Sequence, residues 1–165
     1  MLDNWVVNSE MKKLLKDVST YSNIEELEIN LHQLKELLAP PLKKVNDCII
    51  ISRESEAELE TYFERAVKLH WNRTGYEFNN TETRINAFFE NEISMIVGTQ
   101  VALMVIEIWA LKLKQLEQES KFCLIMACNE ERVEIRFHKV RETEGNWVDD
   151  NIENYADGAI GYVIV

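Results

Sequence analysis

Glycine and proline are scarce in this chain, at five and two of 165 residues. The glycines are scattered, so neither a Gly-rich phosphate loop nor a Gly-x-Ser-x-Gly nucleophile elbow is present, and phosphate-handling and serine-hydrolase chemistry lose their main signals. No internal repeat, low-complexity tract or flexible linker is found either. Cysteine is rare and odd in number: Cys48, Cys123 and Cys128 sit in apolar sequence, unlike a secreted disulfide framework, which points to a reducing compartment. The first residues, Met1 to Trp5, lack the basic and apolar regions of a signal peptide, so the cytoplasm is the expected location. The Asn72-Arg73-Thr74 and Asn79-Asn80-Thr81 sequons then read as chance matches.

Positive charge is the other deficit. Eighteen basic residues stand against 29 acidic ones, a formal net charge of −11, which disfavours direct contact with nucleic acid or an anionic membrane surface because both are bound through Lys and Arg. The same field accelerates encounter with a basic protein. The run from Ile93 to Leu113 approaches the length of a membrane span. It contains Gln100 and Glu107 and is flanked by charges, so a buried central helix is expected. Oligomeric state is left open.

With 46% hydrophobic residues the chain is long enough for one substantial core, and one domain over 1–165 is expected. Met11, Leu14, Leu15 and Val18 share a helical face, with Asn8 or Ser9 as N-cap. Ser22 and Glu25 make a capping-box signature ahead of Ile24, Leu27, Leu31, Leu34 and Leu38, whose alternating spacing predicts a helix packed on its own neighbours and stopped by Pro40-Pro41. Cys48 to Ile51 reads equally as strand or helix. Ser55 to Leu69 is a helix with Leu59, Tyr62, Phe63, Ala66 and Val67 inward and Glu56, Glu58, Glu60 and Glu64 outward. Asn72 to Asn80 reads as a loop. A long helix then runs from Thr81 or Thr83 to about Glu119. Phe122 to Cys128 and the alternating Val133 to Val140 predict a β-hairpin across polar Asn129-Glu130-Glu131. Ala159 to Val165 supplies a third strand, with Gly161 as a possible bulge. The expected fold is α+β: a helical N-terminal two-thirds, about 1–120, packed on a small, mainly antiparallel C-terminal β-sheet, about 121–165.

Catalytic and metal signals are thin. His32, His70 and His138 have no partners at metal-ligand spacing, and Cys123 and Cys128, five apart in a strand, face opposite ways. No catalytic residue, cofactor or metal is therefore assigned. Glu107 is the sharpest acid, a charge within an apolar helix, and a cavity around it with His70 or His138 nearby is the alternative, enzymatic or ligand-binding reading. The plainer expectation for Glu107 is an ion pair with Arg84 or Arg132, or a partly exposed position. His70-Trp71-Asn72-Arg73 is an aromatic cluster at a helix end, read first as a cap. A third reading is a helical regulatory subunit that pairs through the Ile24 to Leu38 stripe.

What the sequence does concentrate is acid beside aromatics. Glu142, Glu144, Asp149, Asp150, Glu153 and Asp157 occur with no Lys or Arg among them, and Trp147 and Tyr155 add large contact area of the kind found at binding hot spots. These eight residues form the expected surface for a basic protein partner.

The closing part, roughly Phe122 to Val165, carries a resemblance. A strand pair leading into Gly145-Asn146-Trp147-Val148-Asp149-Asp150-Asn151-Ile152-Glu153-Asn154-Tyr155 and a terminal strand resembles the end of small, acidic immunity proteins of bacterial polymorphic-toxin and contact-dependent growth inhibition systems. The resemblance implies a cytosolic, non-catalytic antidote that binds a cognate toxin domain, often a basic nuclease. It then blocks the toxin's active site or substrate surface. The contact residues rest on the charge argument.

Overall fold

A computed structural model describes residues 4–22, 26–129 and 132–165. The order is β1 (Val6–Val7), α1 (Ser9–Thr20), α2 (Leu31–Leu38), β2 (Leu42–Val45), β3 (Cys48–Ile51), α3 (Glu56–Leu69), α4 (Arg73–Asn80), β4 (Thr83–Arg84), α5 (Met95–Leu116), β5 (Phe122–Asn129), β6 (Arg132–Lys139) and β7 (Ala159–Ile164). A five-stranded sheet runs β1-β7-β5-β6-β4 with every pair antiparallel, and β2 and β3 form a separate hairpin.

The fold is α+β, but the expected division into N-terminal helices and a C-terminal sheet is wrong. Both edge strands, β1 and β4, come from the first two-thirds; the β2–β3 hairpin lies between them in sequence, and the long α5 follows β4 and precedes β5. The reason is register: Val6 and Val7 pair with Tyr162 and Gly161, and Thr83 and Arg84 with Ile135 and Glu134. Each edge is only two residues long, too short for alternation to reveal.

One sheet face carries the main core. Leu124, Met126, Val133, Ile135 and Phe137 are buried against Val101, Val105, Trp109 and Leu113 of α5 and Met11 and Leu14 of α1. Trp109 packs edge-on to Phe137 at 5.8 Å and donates its indole N–H to the Leu37 carbonyl at 3.0 Å, tying α2 to α5. Helix α5 is long and apolar enough to cross a membrane by length and composition, and half of its most apolar stretch is buried within the fold. The opposite face of the sheet holds Cys123, Ile125 and Ile160 beneath Val148 and Ile152. A third cluster joins Val45, Cys48 and Ile50 of the hairpin to Leu59, Phe63 and Tyr76.

Local chemistry explains the elements and the corrections. Asn8 caps α1, and Ser55 with Glu58 forms a reciprocal capping box on α3. Cys48–Ile51 is a strand, joined to β2 through Asn46 at φ +50. The second helix starts at Asn30, boxed with Gln33, not at Ser22. Residues 26–28 are held outside it by Asn91, which donates to the Glu26 carbonyl and accepts from Glu28 N. Ile24 and Glu25 lie outside the described residues, as do Glu130 and Glu131. The stripe packs inward only at its end: Leu38 lies against the core next to buried Leu37, whereas Leu31 is 84% exposed and Leu27 and Leu34 are also exposed.

The Asn72–Asn80 segment is helix α4, not a loop. Asn72 accepts from Gly75 N as N-cap, and Asn79 and Asn80 donate back to the carbonyls four residues earlier, so asparagines that favour turns in isolation are satisfied within a helix. The long helix does not begin at Thr81 or Thr83. Thr81 Oγ1 donates to the Phe137 carbonyl and accepts from its N–H, extending the β4 edge, and α5 starts only at Ser94, its N-cap. Gly161 makes no bulge, because β7 pairs with β5 in unbroken register. It is needed instead for close approach: a Cβ there would lie 2.8 Å from Val7 Cγ1.

Candidate functional site

The segment joining β6 to β7 is clamped at several points. Its first turn closes from Arg141 to Gly145, which takes φ +72, a conformation that favours glycine. Glu144 accepts the Thr74 N–H at 2.7 Å at the start of α4, and Glu153 accepts the Ser9 N–H and hydroxyl at 3.1 and 3.0 Å at the start of α1. Both carboxylates thus sit at positive helix ends. Asn8 donates to the carbonyls of Tyr155 and Gly158, and Val148 and Ile152 are buried on the sheet. Asp149 accepts from Asn151 N at 2.8 Å and from the Asn154 amide at 3.1 Å; the first bond, then the second, holds its carboxyl below the usual range. Tyr155 turns its hydroxyl to accept the Asp149 N–H at 3.0 Å and keeps 36% of its surface exposed.

Glu142, Asp150 and Asp157 are exposed and have no hydrogen bond or ion pair among the described residues. Of the expected surface, then, Glu144, Asp149 and Glu153 hold the loop while these three are turned to solvent. Trp147 is not the outward anchor. Its ring is half-buried, stacked with Phe78 at 5.1 Å and with Trp71 at 5.9 Å. Arg136 caps the far end, its guanidinium carbon 4.4 Å from the Phe78 ring centre. Gly75 leaves room for the stack, since a Cβ there would fall 2.6 Å from Trp147 Cζ3. Trp71 is the solvent-facing aromatic, 84% exposed at φ +70. The sequence flagged its cluster as a cap; His70 does cap α3 and Asn72 caps α4, and Trp71 is the residue between them. Phe78 and Arg136 carried no separate signal.

His138 anchors this loop from below. Its Nδ1–H donates to the Lys139 carbonyl at 3.1 Å and its Nε2 accepts the Trp147 N–H at 3.4 Å, the pattern of a neutral ring, and burial lowers its pKa. Beside it Glu77, fully buried, accepts from Ile49 N at 2.7 Å, Lys139 N at 2.8 Å and Arg141 Nη1 at 2.7 Å. Burial pushes the Glu77 pKa up, yet every partner is a donor, so a proton on this carboxyl has no acceptor and the ionised form persists at neutral pH. Arg141 and Lys139 also bind Asp47, and Lys139 continues to Glu117. Sequence placed Glu77 in a loop and so missed it.

Other chemistry is dispersed. Burial pushes the thiols up, Cys48 and Cys123 to about 12 and Cys128 to about 11, which keeps them protonated. Among the described residues no three His, Cys, Asp or Glu side chains are placed to hold a metal ion. Glu107 is partly exposed on α5, and the expected arginines are engaged elsewhere, Arg84 with Glu82 and Arg132 with Glu134. The groove it borders, with Trp5, Leu103 and Val163, holds about 120 Å³, against the roughly 300 Å³ at which small-molecule pockets begin. His138 faces the other side of the sheet, beside Cys123, so the Glu107–His138 site does not assemble.

Fold and site together define an α+β protein whose antiparallel sheet carries a clamped acidic loop beside an open aromatic stack. The chain belongs to the uncharacterized protein PM0498 family, whose model matches residues 6–164. That description assigns no activity and makes no link to toxin immunity. No curated protein and no solved structure matches the chain.

Proposed function

We propose that this is a non-catalytic binding protein that docks a basic protein partner on the acidic loop 142–157, and that it acts in the cytoplasm as the antidote of a basic toxin domain. The observation that carries this reading is the division of labour among the acids. Glu144 and Glu153 pin the loop to two helix starts, leaving Glu142, Asp150 and Asp157 unengaged on a surface whose shape is already set. Such a surface loses little conformational freedom on binding, and its field steers a cationic partner. The toxin assignment rests on the resemblance of the closing segment to immunity proteins.

The test begins with capture from the native host on tagged protein, wild type and Asp150→Lys/Asp157→Lys. The captured protein is then purified, its association rate measured at low and high salt, and its activity assayed with and without the antidote. A basic partner whose association slows roughly tenfold or more in the reversed variant and in high salt, and whose activity is blocked, is the expected result. A rate indifferent to both changes overturns the surface; unblocked activity overturns the antidote role.

A second reading has one observation in its favour. Leu31 at 84% and Leu27 and Leu34, all exposed, suit a helix that pairs with another chain. Sedimentation equilibrium decides it: a dimer abolished by Leu31→Glu supports pairing, and a monomer at high concentration removes it.

A further inference from the structure

Trp71 is the most exposed aromatic side chain among the large hydrophobic residues, and its backbone sits at φ +70, a region unfavourable to any residue with a Cβ. Strained backbone held in place by surrounding structure is characteristic of functional positions. Here that backbone holds the indole beside Trp147, with centres 5.9 Å apart and planes at 29°, and leaves 84% of the residue's surface to solvent. The stack behind it is fixed, because the Trp147 ring packs against Gly75 and Phe78 and its backbone N–H donates to His138 Nε2 at 3.4 Å. At its inner end the stack is already closed by a guanidinium, that of Arg136 over Phe78. Its outer end is open.

An aromatic face carries negative potential and attracts a cation, most of all a flat one that stacks in van der Waals contact. The surroundings have the same sign. Lys68 and Arg73 flank Trp71 in sequence, but the adjoining loop 142–157 brings six carboxylates and no cation, and Glu144 reaches Thr74, three residues from Trp71. A nucleobase would stack equally well, yet it arrives with phosphate into that field. We infer that the outer face of Trp71 is a docking platform for an arginine side chain of a basic protein partner, guanidinium stacked on indole. This rests on the acidic-loop reading for the partner's class and adds the contact that tells arginine from lysine.

The test is an NMR titration of the full chain, following the four indole N–H resonances, with a blocked Arg-Gly-Arg-Gly-Arg peptide, its lysine counterpart and adenosine monophosphate. The arginine peptide is expected to shift the Trp71 resonance and to bind about three- to fivefold tighter than the lysine peptide, the advantage of an exposed cation–π contact. Trp71→Ala and Trp71→Gly, both confirmed folded by circular dichroism, should erase that preference while keeping lysine-peptide binding. Asp150→Lys/Asp157→Lys should weaken both peptides and keep their ratio. No Trp71 shift with the arginine peptide, a preference surviving in both Trp71 variants, or a shift with the nucleotide at equal or lower concentration overturns the platform. If the reversed variant binds both peptides as tightly as wild type and the preference persists, the platform stands and the acidic loop falls.

Discussion

Replacing Glu77 by glutamine should cost this protein about 3 kcal/mol, near the lower end of what breaking a buried ion pair costs. The carboxylate is fully buried and all three of its hydrogen bonds come from donors: two backbone amides, on Ile49 and Lys139, and the Arg141 guanidinium. Glutamine keeps one acceptor oxygen and points an NH2 at the remaining donors, so one buried donor at least is left unmatched, at roughly 1–3 kcal/mol. The loss of charge also strands Arg141, though only in part, since Asp47 still meets its Nε at 3.1 Å and accepts Nη2 through the backbone carbonyl at 2.7 Å. That residual partner is why the estimate stays near the bottom of the range. For a chain of this length about 3 kcal/mol corresponds to a fall of roughly 6–12 °C in Tm. Urea unfolding followed by tryptophan fluorescence measures it, with Glu77→Gln/Arg141→Gln as the comparison. The double variant should be less destabilised than the two singles added together, because each single strands the partner that the double also removes. A change below about 1 kcal/mol in Glu77→Gln, or strict additivity, would refute the reasoning.

Three further outcomes follow from the same geometry. Gly75→Ala should destabilise by about 3 kcal/mol, opposite in sign to the usual helical gain, because the new Cβ meets the His70 carbonyl and the Trp147 ring; an unchanged Tm would refute it. Trp71→Gly should be more stable than Trp71→Ala by about 1 kcal/mol, since only glycine takes φ +70 without strain, and equal urea midpoints would contradict this. His138 is buried with its pKa below 6.5, so the unfolded chain binds the extra proton first: its stabilisation is present above about pH 6.5 and is lost as pH falls toward the folded pKa, by at most about 1.4 kcal/mol per pH unit. Urea midpoints between pH 7.5 and 5 should fall more steeply for wild type than for His138→Gln, and parallel curves would sink the assignment.

What could be read from the chain was what depends on neighbours in sequence. The apolar face of the Ser55 to Leu69 helix, the alternation from Val133 to Val140 and the apolar run of β7 each announce a local geometry, and the acidic excess between 142 and 157 is visible by counting. What escaped depends on distant partners. Helix α4 is written in asparagines, which favour turns until burial of Thr74, Tyr76 and Glu77 overrides them. Strand β4 exists because Thr81 and Thr83 meet an edge more than 50 residues on, and the start of α5 was hidden by the apolar residues preceding Ser94. The site splits the same way. Its charges lie in one segment, but the bonds that shape it reach from Glu144 to Thr74 across 70 residues and from Glu153 to Ser9 across 144.

Those two long bonds bear directly on how the loop works. An acidic segment on a flexible tether would be ordered only on binding, at a cost of about 1–2 kcal/mol for each residue fixed. Here the ordering is completed on folding, and by the acids themselves. Glu144 and Glu153 replace the missing partners at the first turns of α4 and α1, so each carboxylate stabilises a helix start while setting the position of its neighbours. Removing either accepting side chain should therefore do two things at once: fray a helix end, and let Asp150 and Asp157 lose their fixed spacing. Glu153→Gln keeps an acceptor for Ser9 and should leave the loop in place, whereas Glu153→Ala should release it. The two variants remove the same charge. If they weaken partner binding equally, only the charge matters; if Glu153→Ala is at least tenfold worse, the geometry of the loop is what the partner reads.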